Sequence, residues 1–116
     1  MPWNFNPDKP IFIQLVERLE SDIVSGKYAP GDRLPTVREL AVEAAVNPNT
    51  MQKAYAELER LGLVYTQRTS GRFVTDDKKL IEKTRKELAK KITEEFLTKM
   101  KKIGISRNDA IDLLNS

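Results

Sequence analysis

The fold is decided by residues 34–74, which read LPTVRELAVEAAVNPNTMQKAYAELERLGLVYTQRTSGRFV. Residues 36–39 (TVRE) have the form of a capping box, which predicts a helix that runs to about Ala45. Asn47 is a favourable N-cap and Pro48 suits the first helical position, so a second helix begins about three residues later. Two helices this close in the sequence indicate a helix-turn-helix.

The segments on either side of this stretch predict the rest of a winged helix. Pro10 suits the first turn of a helix, and apolar residues at helical spacing follow it up to Ile23. Two short β-prone runs, Leu63–Gln67 and Arg72–Thr75, flank a turn at residues 69–71. Three helices followed by a hairpin describe a winged helix-turn-helix, which is a mainly α fold with a small β-hairpin.

Composition excludes several kinds of chemistry. The 116 residues include no cysteine and no histidine, which excludes disulfides, thiolate metal sites and histidine general bases. No phosphate-binding glycine loop is present either, so we predict no enzyme, no metal and no cofactor. No apolar run approaches the ~20 residues of a membrane span, and the start MPWNFNPDKP does not resemble a signal peptide. We therefore expect a cytoplasmic protein.

The net charge of +3 is small and unevenly distributed. Residues 1–75 carry nine basic and nine acidic side chains, so the whole excess lies in residues 76–116. Overall charge therefore does not predict nucleic-acid binding, which has to be argued from the placement of particular residues. Because residues 1–75 are neutral overall, an alternative stays open, namely a winged-helix module that binds another protein and not DNA.

The second helix of a helix-turn-helix lies in the major groove, with its first residues on the base edges. The apolar stripe that includes Met51 and Leu58 faces the core, so Asn49, Gln52 and Lys53 must point outward. Asparagine and glutamine can pair with adenine, and lysine suits guanine or phosphate. The alternative interpretation is that these residues are ordinary solvated side chains on a capped helix.

Three arginines lie before or after this predicted recognition segment, residues 49–53, in the sequence. Arg38 lies in the first turn of its helix, where a cation opposes the helix dipole at a cost of ~0.3–1 kcal/mol that a phosphate or guanine partner outweighs. Arg68 and Arg72 lie on either side of a tip of small residues, which fits a wing that enters the minor groove. Alternatively, Arg38 pairs with a nearby glutamate and the two hairpin arginines only promote solubility.

Residues 31–74 resemble the DNA-binding domain of GntR-type transcriptional regulators. The sequence LPTVRELA at residues 34–41 corresponds to the family pattern L-P-S-x-R-E-L-A. VNPNT and AYAELERLGLV fit the branch with short C-terminal helices, the YtrA subfamily, which is known for repressors encoded with ABC-transporter genes. The resemblance covers roughly residues 10–75.

The resemblance implies a sequence-specific DNA-binding repressor of a nearby operon. It implies that Arg38 contacts DNA, that Asn47–Lys53 reads the major groove and that the wing tip near Gly71 reaches the minor groove. Ala45 stands where many relatives have glycine, and a left-handed alanine there costs ~1 kcal/mol. The predicted DNA-contacting residues are Thr36, Arg38, Asn47, Pro48, Asn49, Thr50, Gln52, Lys53, Arg68, Thr69, Ser70, Gly71 and Arg72.

From Lys78 onward the sequence becomes lysine-rich and helical. A long apolar stripe ends at Gly104, and Ser106 caps a final short helix. The stripe consists of Ile81, Leu88, Ile92, Phe96, Met100 and Ile103. We therefore predict a winged helix-turn-helix DNA-binding domain over residues 1–76 and a helical dimerisation segment over residues 77–116.

A segment of about 40 residues does not form a core of its own, so this stripe packs either on the winged domain or against a second copy. We favour the second copy, because a symmetric homodimer is what a palindromic operator in double-stranded DNA requires. The sequence does not identify a small-molecule effector.

Overall fold

The two helices of the helix-turn-helix begin where their N-capping residues predict. The computed structural model describes residues 3–116, so the first two residues of the predicted 1–76 domain lie outside the described part. The elements are α1 (Ile11–Val24), α2 (Val37–Ala44), α3 (Pro48–Arg60), β1 (Val64–Gln67), β2 (Gly71–Val74), α4 (Lys78–Lys102) and α5 (Arg107–Leu114). The chain is therefore mainly α-helical with one small antiparallel hairpin, as the sequence predicts.

The turn between α2 and α3 depends on one left-handed residue. Thr36 Oγ1 accepts a hydrogen bond from the Glu39 backbone N–H at 3.1 Å, and the Glu39 carboxylate accepts one from the Thr36 N–H at 3.0 Å. This reciprocal pair is the predicted capping box. Ala45 has φ 60° and ψ 48°, and Val46 N–H then donates to the Ala41 carbonyl at 3.0 Å. Ala45 is therefore left-handed at the position where many relatives have glycine.

Helix α3 is the centre of the core. It packs against α1, α2 and β1, and its buried residues include the Met51–Leu58 stripe that the sequence assigns to the interior. Each large apolar side chain that leaves water contributes about 1.5–3 kcal/mol. The largest fully buried side chains are Tyr55, Leu15, Leu19, Ile23, Leu40, Met51, Leu58, Leu63 and Val74.

A short segment before α2 extends the hairpin. Strands β1 and β2 pair in antiparallel register, with Val64 opposite Val74. Leu34 N–H donates to the Arg72 carbonyl at 2.8 Å, and Val74 N–H donates to the Asp32 carbonyl at 2.8 Å. Residues 32–34 therefore run along the outer edge of β2. The sequence pattern predicts no β-pairing in this segment.

The chain divides into two compact units, of which the first extends to Lys83 and the second is Thr84–Ser116. Ile81 is 6% exposed and belongs to the first unit. It was predicted as part of the dimerisation stripe, but its burial makes it a core residue. None of the described helices is long and apolar enough to cross a membrane.

The second unit covers little of its apolar surface. Among its described residues, only Ala110, on α5, is buried. Ile92 is 63% exposed and Ile103 is 74% exposed. Phe96 is exposed as well, whereas Leu88 and Met100 are half-buried.

Candidate nucleic-acid interface

Tyr55 fixes the start of α2 to α3, which is the second, or recognition, helix of the helix-turn-helix. Its ring is fully buried, and its hydroxyl donates to the Pro35 carbonyl at 2.6 Å. Pro35 immediately precedes the N-cap Thr36, so this bond sets the position of the first turn of α2. Burial raises the pKa of Tyr55 well above its ordinary value, because it disfavours the charged phenolate.

Glu59, one helical turn further along α3, holds the hairpin. Its carboxylate accepts a hydrogen bond from the Thr66 hydroxyl and lies 3.3 Å from Arg72 Nε. The Arg72 guanidinium also lies 5.4 Å from the centre of the Tyr55 ring. Thr66 and Arg72 are opposite each other on β1 and β2. One face of α3 thus positions both the start of α2 and the wing.

The first turn of α3 presents its polar side chains to solvent. Asn49, Gln52 and Lys53 are exposed, as predicted, and Thr50 is half-buried. The Asn47 side-chain oxygen accepts a hydrogen bond from the Asn49 backbone N–H at 2.8 Å. Asn47 is therefore occupied as an N-cap through its oxygen, while its amide N–H groups are available as donors.

The predicted wing residues differ in exposure. Arg68, Thr69 and Ser70 are exposed at the turn, whereas Gly71 and Arg72 are half-buried. The Arg72 side chain retains 26% exposure because it is held against α3 by Glu59. The remaining predicted residues, which are Thr36, Arg38 and Pro48, are exposed.

Several basic residues of the winged unit, which is the first of the two compact units, are paired with carboxylates. Arg18 and Lys27 each lie 3.7 Å from the same Asp22 oxygen. Arg60, at the end of α3, forms a 2.6 Å pair with Glu57. The positive charges of these three residues are therefore offset by neighbouring carboxylates.

Of the four basic residues predicted to face DNA, Arg72 is paired with Glu59 and the other three are not neutralised in this way. Within residues 3–116, no carboxylate forms an ion pair with Arg38, Lys53 or Arg68. Arg38 is exposed at the start of α2, Lys53 on α3 and Arg68 at the wing tip. A domain that is neutral in total therefore keeps unpaired cations on the three elements that a winged helix presents to a duplex.

One basic residue near the wing tip is not predicted from the sequence. Arg33 pairs with Phe73 across the edge of β2, and its side chain lies against Gly71. A single bridged residue in an otherwise irregular segment carries no alternation that a sequence pattern could reveal.

These features define a winged helix-turn-helix domain of the DNA-binding class. Residues 13–74 match the family described as bacterial regulatory proteins, gntR family. The chain belongs to this family, and it is a transcriptional regulator with a GntR-type DNA-binding domain.

Two regulators from Bacillus subtilis illustrate the relationship. The chain is 35% identical to the HTH-type transcriptional regulator YhcF over 93% of its own length and 89% of that protein. It is 43% identical to the HTH-type transcriptional repressor YtrA over 60% of its own length and 54% of that protein. The YtrA-type resemblance is confirmed. The relatives are named as transcriptional regulators and not as enzymes.

Solved structures support the same assignment. A GntR family transcriptional regulator from Listeria monocytogenes superimposes with a TM-score of 0.86 at 43% identity, covering 96% of this chain and 97% of that one. The AraR DNA-binding domain in complex with operator ORX1 superimposes with a TM-score of 0.58 at 30% identity, covering 65% of this chain and 95% of that one. The class of fold predicted from the sequence is confirmed.

Proposed function

We propose that this protein is a homodimeric repressor that binds a palindromic operator in double-stranded DNA in the cytoplasm. The observation that carries the proposal is the set of unpaired cations, Arg38, Lys53 and Arg68, on the start of α2, on α3 and on the wing. The complex of the AraR DNA-binding domain with its operator supports it, because that domain has the same fold. We further propose that the regulated operon is nearby and encodes an ABC transporter.

Each element has a separate part in DNA recognition. Asn49, Gln52 and Lys53 reach base edges in the major groove from the first turns of α3. Arg38 binds a phosphate or a guanine beside them. The wing tip, residues 68–71, enters the adjacent minor groove. The N-cap residues Thr36 and Asn47 orient these helix ends, and Pro48, Thr50 and Arg72 complete the proposed surface.

The second unit provides the dimer contact in this proposal. Its apolar stripe follows helical spacing, yet Ile92 and Ile103 are largely exposed in the single chain. A two-fold dimer removes this surface from water and gives the two recognition helices the symmetry of a palindrome. The stripe now consists of Leu88, Ile92, Phe96, Met100 and Ile103, without Ile81.

Selection from a random pool of duplexes tests DNA recognition and does not require the operator sequence at the outset. We expect one sequence class with two half-sites about one helical turn, or a multiple of it, apart. Fluorescence anisotropy on the selected duplex then compares Arg38→Ala and Lys53→Ala with the wild type. Each variant should lose roughly 5- to 100-fold in affinity if its residue reads a base.

Arg60→Ala is the matched control, because Arg60 lies on α3 but is paired with Glu57. It should bind the selected duplex within about twofold of the wild type, as a solvated surface pair contributes little. Failure to select any sequence would contradict the proposal. Full affinity in both Arg38→Ala and Lys53→Ala would contradict the proposed orientation.

Sedimentation equilibrium tests the dimer. The double variant Ile92→Asp, Ile103→Asp places charges on the proposed contact and should be monomeric where the wild type is a dimer. Val42→Asp, on α2 at 76% exposure, is the control and should leave the dimer intact. A wild-type monomer at micromolar concentration would remove the second unit from the proposal.

A further inference from the structure

Arg33 is held to the wing through its neighbours' backbone. Leu34 N–H donates to the Arg72 carbonyl and Val74 N–H donates to the Asp32 carbonyl, each at 2.8 Å. These two bonds flank Arg33 and place it opposite Phe73 on β2. Its Cα is therefore held at the edge of β2.

The Arg33 side chain extends to the tip of this hairpin. A Cβ built on Gly71 would lie 3.1 Å from Arg33 Nε and 3.5 Å from a terminal guanidinium nitrogen. Gly71 also has φ +108°, a conformation that L side chains rarely adopt. The absence of a side chain at Gly71 therefore leaves the space in which the Arg33 guanidinium lies.

Arg33 and Arg72 differ in what surrounds their charges. Arg72 faces α3, where Glu59 lies 3.3 Å from its Nε and the Tyr55 ring lies below it. Arg33 is exposed and is close enough to Glu39 to help lower the pKa of that carboxyl, but no carboxylate within residues 3–116 forms an ion pair with Arg33. The charge at Gly71 that is available to a ligand is therefore that of Arg33.

We propose that Arg33, and not Arg72, enters the minor groove beside the wing tip, and that it makes the protein select A·T pairs there. The proposal rests on the proposed function, in which the wing tip faces DNA. A narrow A·T-rich minor groove concentrates negative potential and attracts a guanidinium. A G·C pair places an exocyclic amino group in the minor groove, where it obstructs the side chain.

Three versions of the selected duplex test this inference. Minor-groove footprinting identifies the A·T pairs that the wing protects, and these are replaced first by G·C and then by inosine·C. Inosine·C has the major-groove pattern of G·C but lacks the minor-groove amino group. We expect the wild type to lose about tenfold in affinity with G·C and to recover it with inosine·C.

The Arg33→Ala variant should bind all three duplexes with equal affinity, about tenfold below the wild type on the A·T duplex. Arg72→Ala should still discriminate between G·C and inosine·C, whatever its overall affinity. Circular dichroism checks that each variant is folded. Arg33→Gln, which keeps a stem against Gly71 and removes the charge, replaces the alanine variant if that variant does not fold.

Discrimination that persists in Arg33→Ala or Arg33→Gln overturns the inference, as does its loss in Arg72→Ala alone. A wild type that treats the three duplexes alike also overturns it, while the proposed operator binding stands. A wild type that binds no duplex at all is a different result, because it overturns the proposed function itself.

Discussion

The two units of this chain use the same apolar spacing with opposite outcomes. On α3, the stripe that contains Met51, Ala54 and Leu58 is completely buried, because α1 and α2 lie against it. On α4, Ile92 is 63% exposed and Ile103 is 74% exposed. Helical periodicity therefore predicts which face of a helix is apolar, and the presence of a covering element decides whether that face is buried or left exposed in the single chain.

The largest expected change in stability distinguishes one buried residue of the first unit from one exposed residue of the second. Leu19→Ala removes a fully buried side chain and should lower the free energy of unfolding by about 2–5 kcal/mol. Ile92→Ala should change the stability of the winged unit by less than about 0.5 kcal/mol and instead weaken the dimer. Urea unfolding followed by Trp3 fluorescence measures the first unit, because Trp3 lies 4.1 Å from the Arg18 guanidinium.

Equal losses from the two substitutions would contradict the distinction between a core stripe and a contact stripe. Varying the protein concentration provides the control. The loss of stability in Ile92→Ala should depend on protein concentration if the substitution weakens dimerisation. The loss of stability in Leu19→Ala should be the same at every concentration.

A smaller change in stability distinguishes a buried tyrosine hydroxyl from an exposed one within the winged unit. Tyr55→Phe removes the hydroxyl that donates to the Pro35 carbonyl and should cost about 1–2 kcal/mol, since that carbonyl loses its partner next to the buried ring. Tyr65→Phe is the matched control, because Tyr65 is 36% exposed and its ring stays stacked on Phe73. Chemical denaturation of the two variants measures the difference, and equal stabilities would show that the Tyr55 hydroxyl does not anchor α2.

The fold could be predicted from sequence wherever its causes are local. The capping box at residues 36–39, the N-cap at Asn47 and the apolar stripe of α3 each involve residues within a few positions of one another. These predictions are confirmed. The outer segment, residues 32–34, could not be predicted in this way, because it is held by a pairing with the distant strand β2.

The orientation of Arg72 was missed although the sequence contains a relevant pattern. Side chains two positions apart in a strand point to the same face, and Val74 is buried. Arg72 therefore faces inward, toward Glu59 on α3, as the structure shows. The sequence pattern does not predict that Glu59 is the partner of Arg72, because this pairing depends on how α3 packs against the hairpin.

The α2–α3 turn offers a stabilising substitution. Ala45 is left-handed, so Ala45→Gly should raise the free energy of unfolding by up to about 1 kcal/mol through relief of strain. Ala56→Gly is the control, because Ala56 is an exposed interior residue of α3 and should lose about 1 kcal/mol. Thermal and urea unfolding measure both variants. Destabilisation by both would show that the strain at Ala45 is negligible.

The smallest effect concerns the pH dependence of the capping box. The hydrogen bond from the Thr36 backbone N–H, assisted by the Thr36 side chain, lowers the pKa of Glu39 below its ordinary value of 4.5. A carboxyl group whose pKa is lower in the folded state stabilises the fold above pH 4.5, and this contribution is lost as the pH falls through the folded-state pKa.

Glu39→Gln keeps an acceptor for the Thr36 N–H but does not titrate. The stability difference between wild type and variant should therefore be largest at neutral pH and should shrink below pH 4.5. Urea unfolding at both ends of this range measures the difference at each pH. A constant difference would mean that the Glu39 carboxylate contributes no charge-dependent stability to α2.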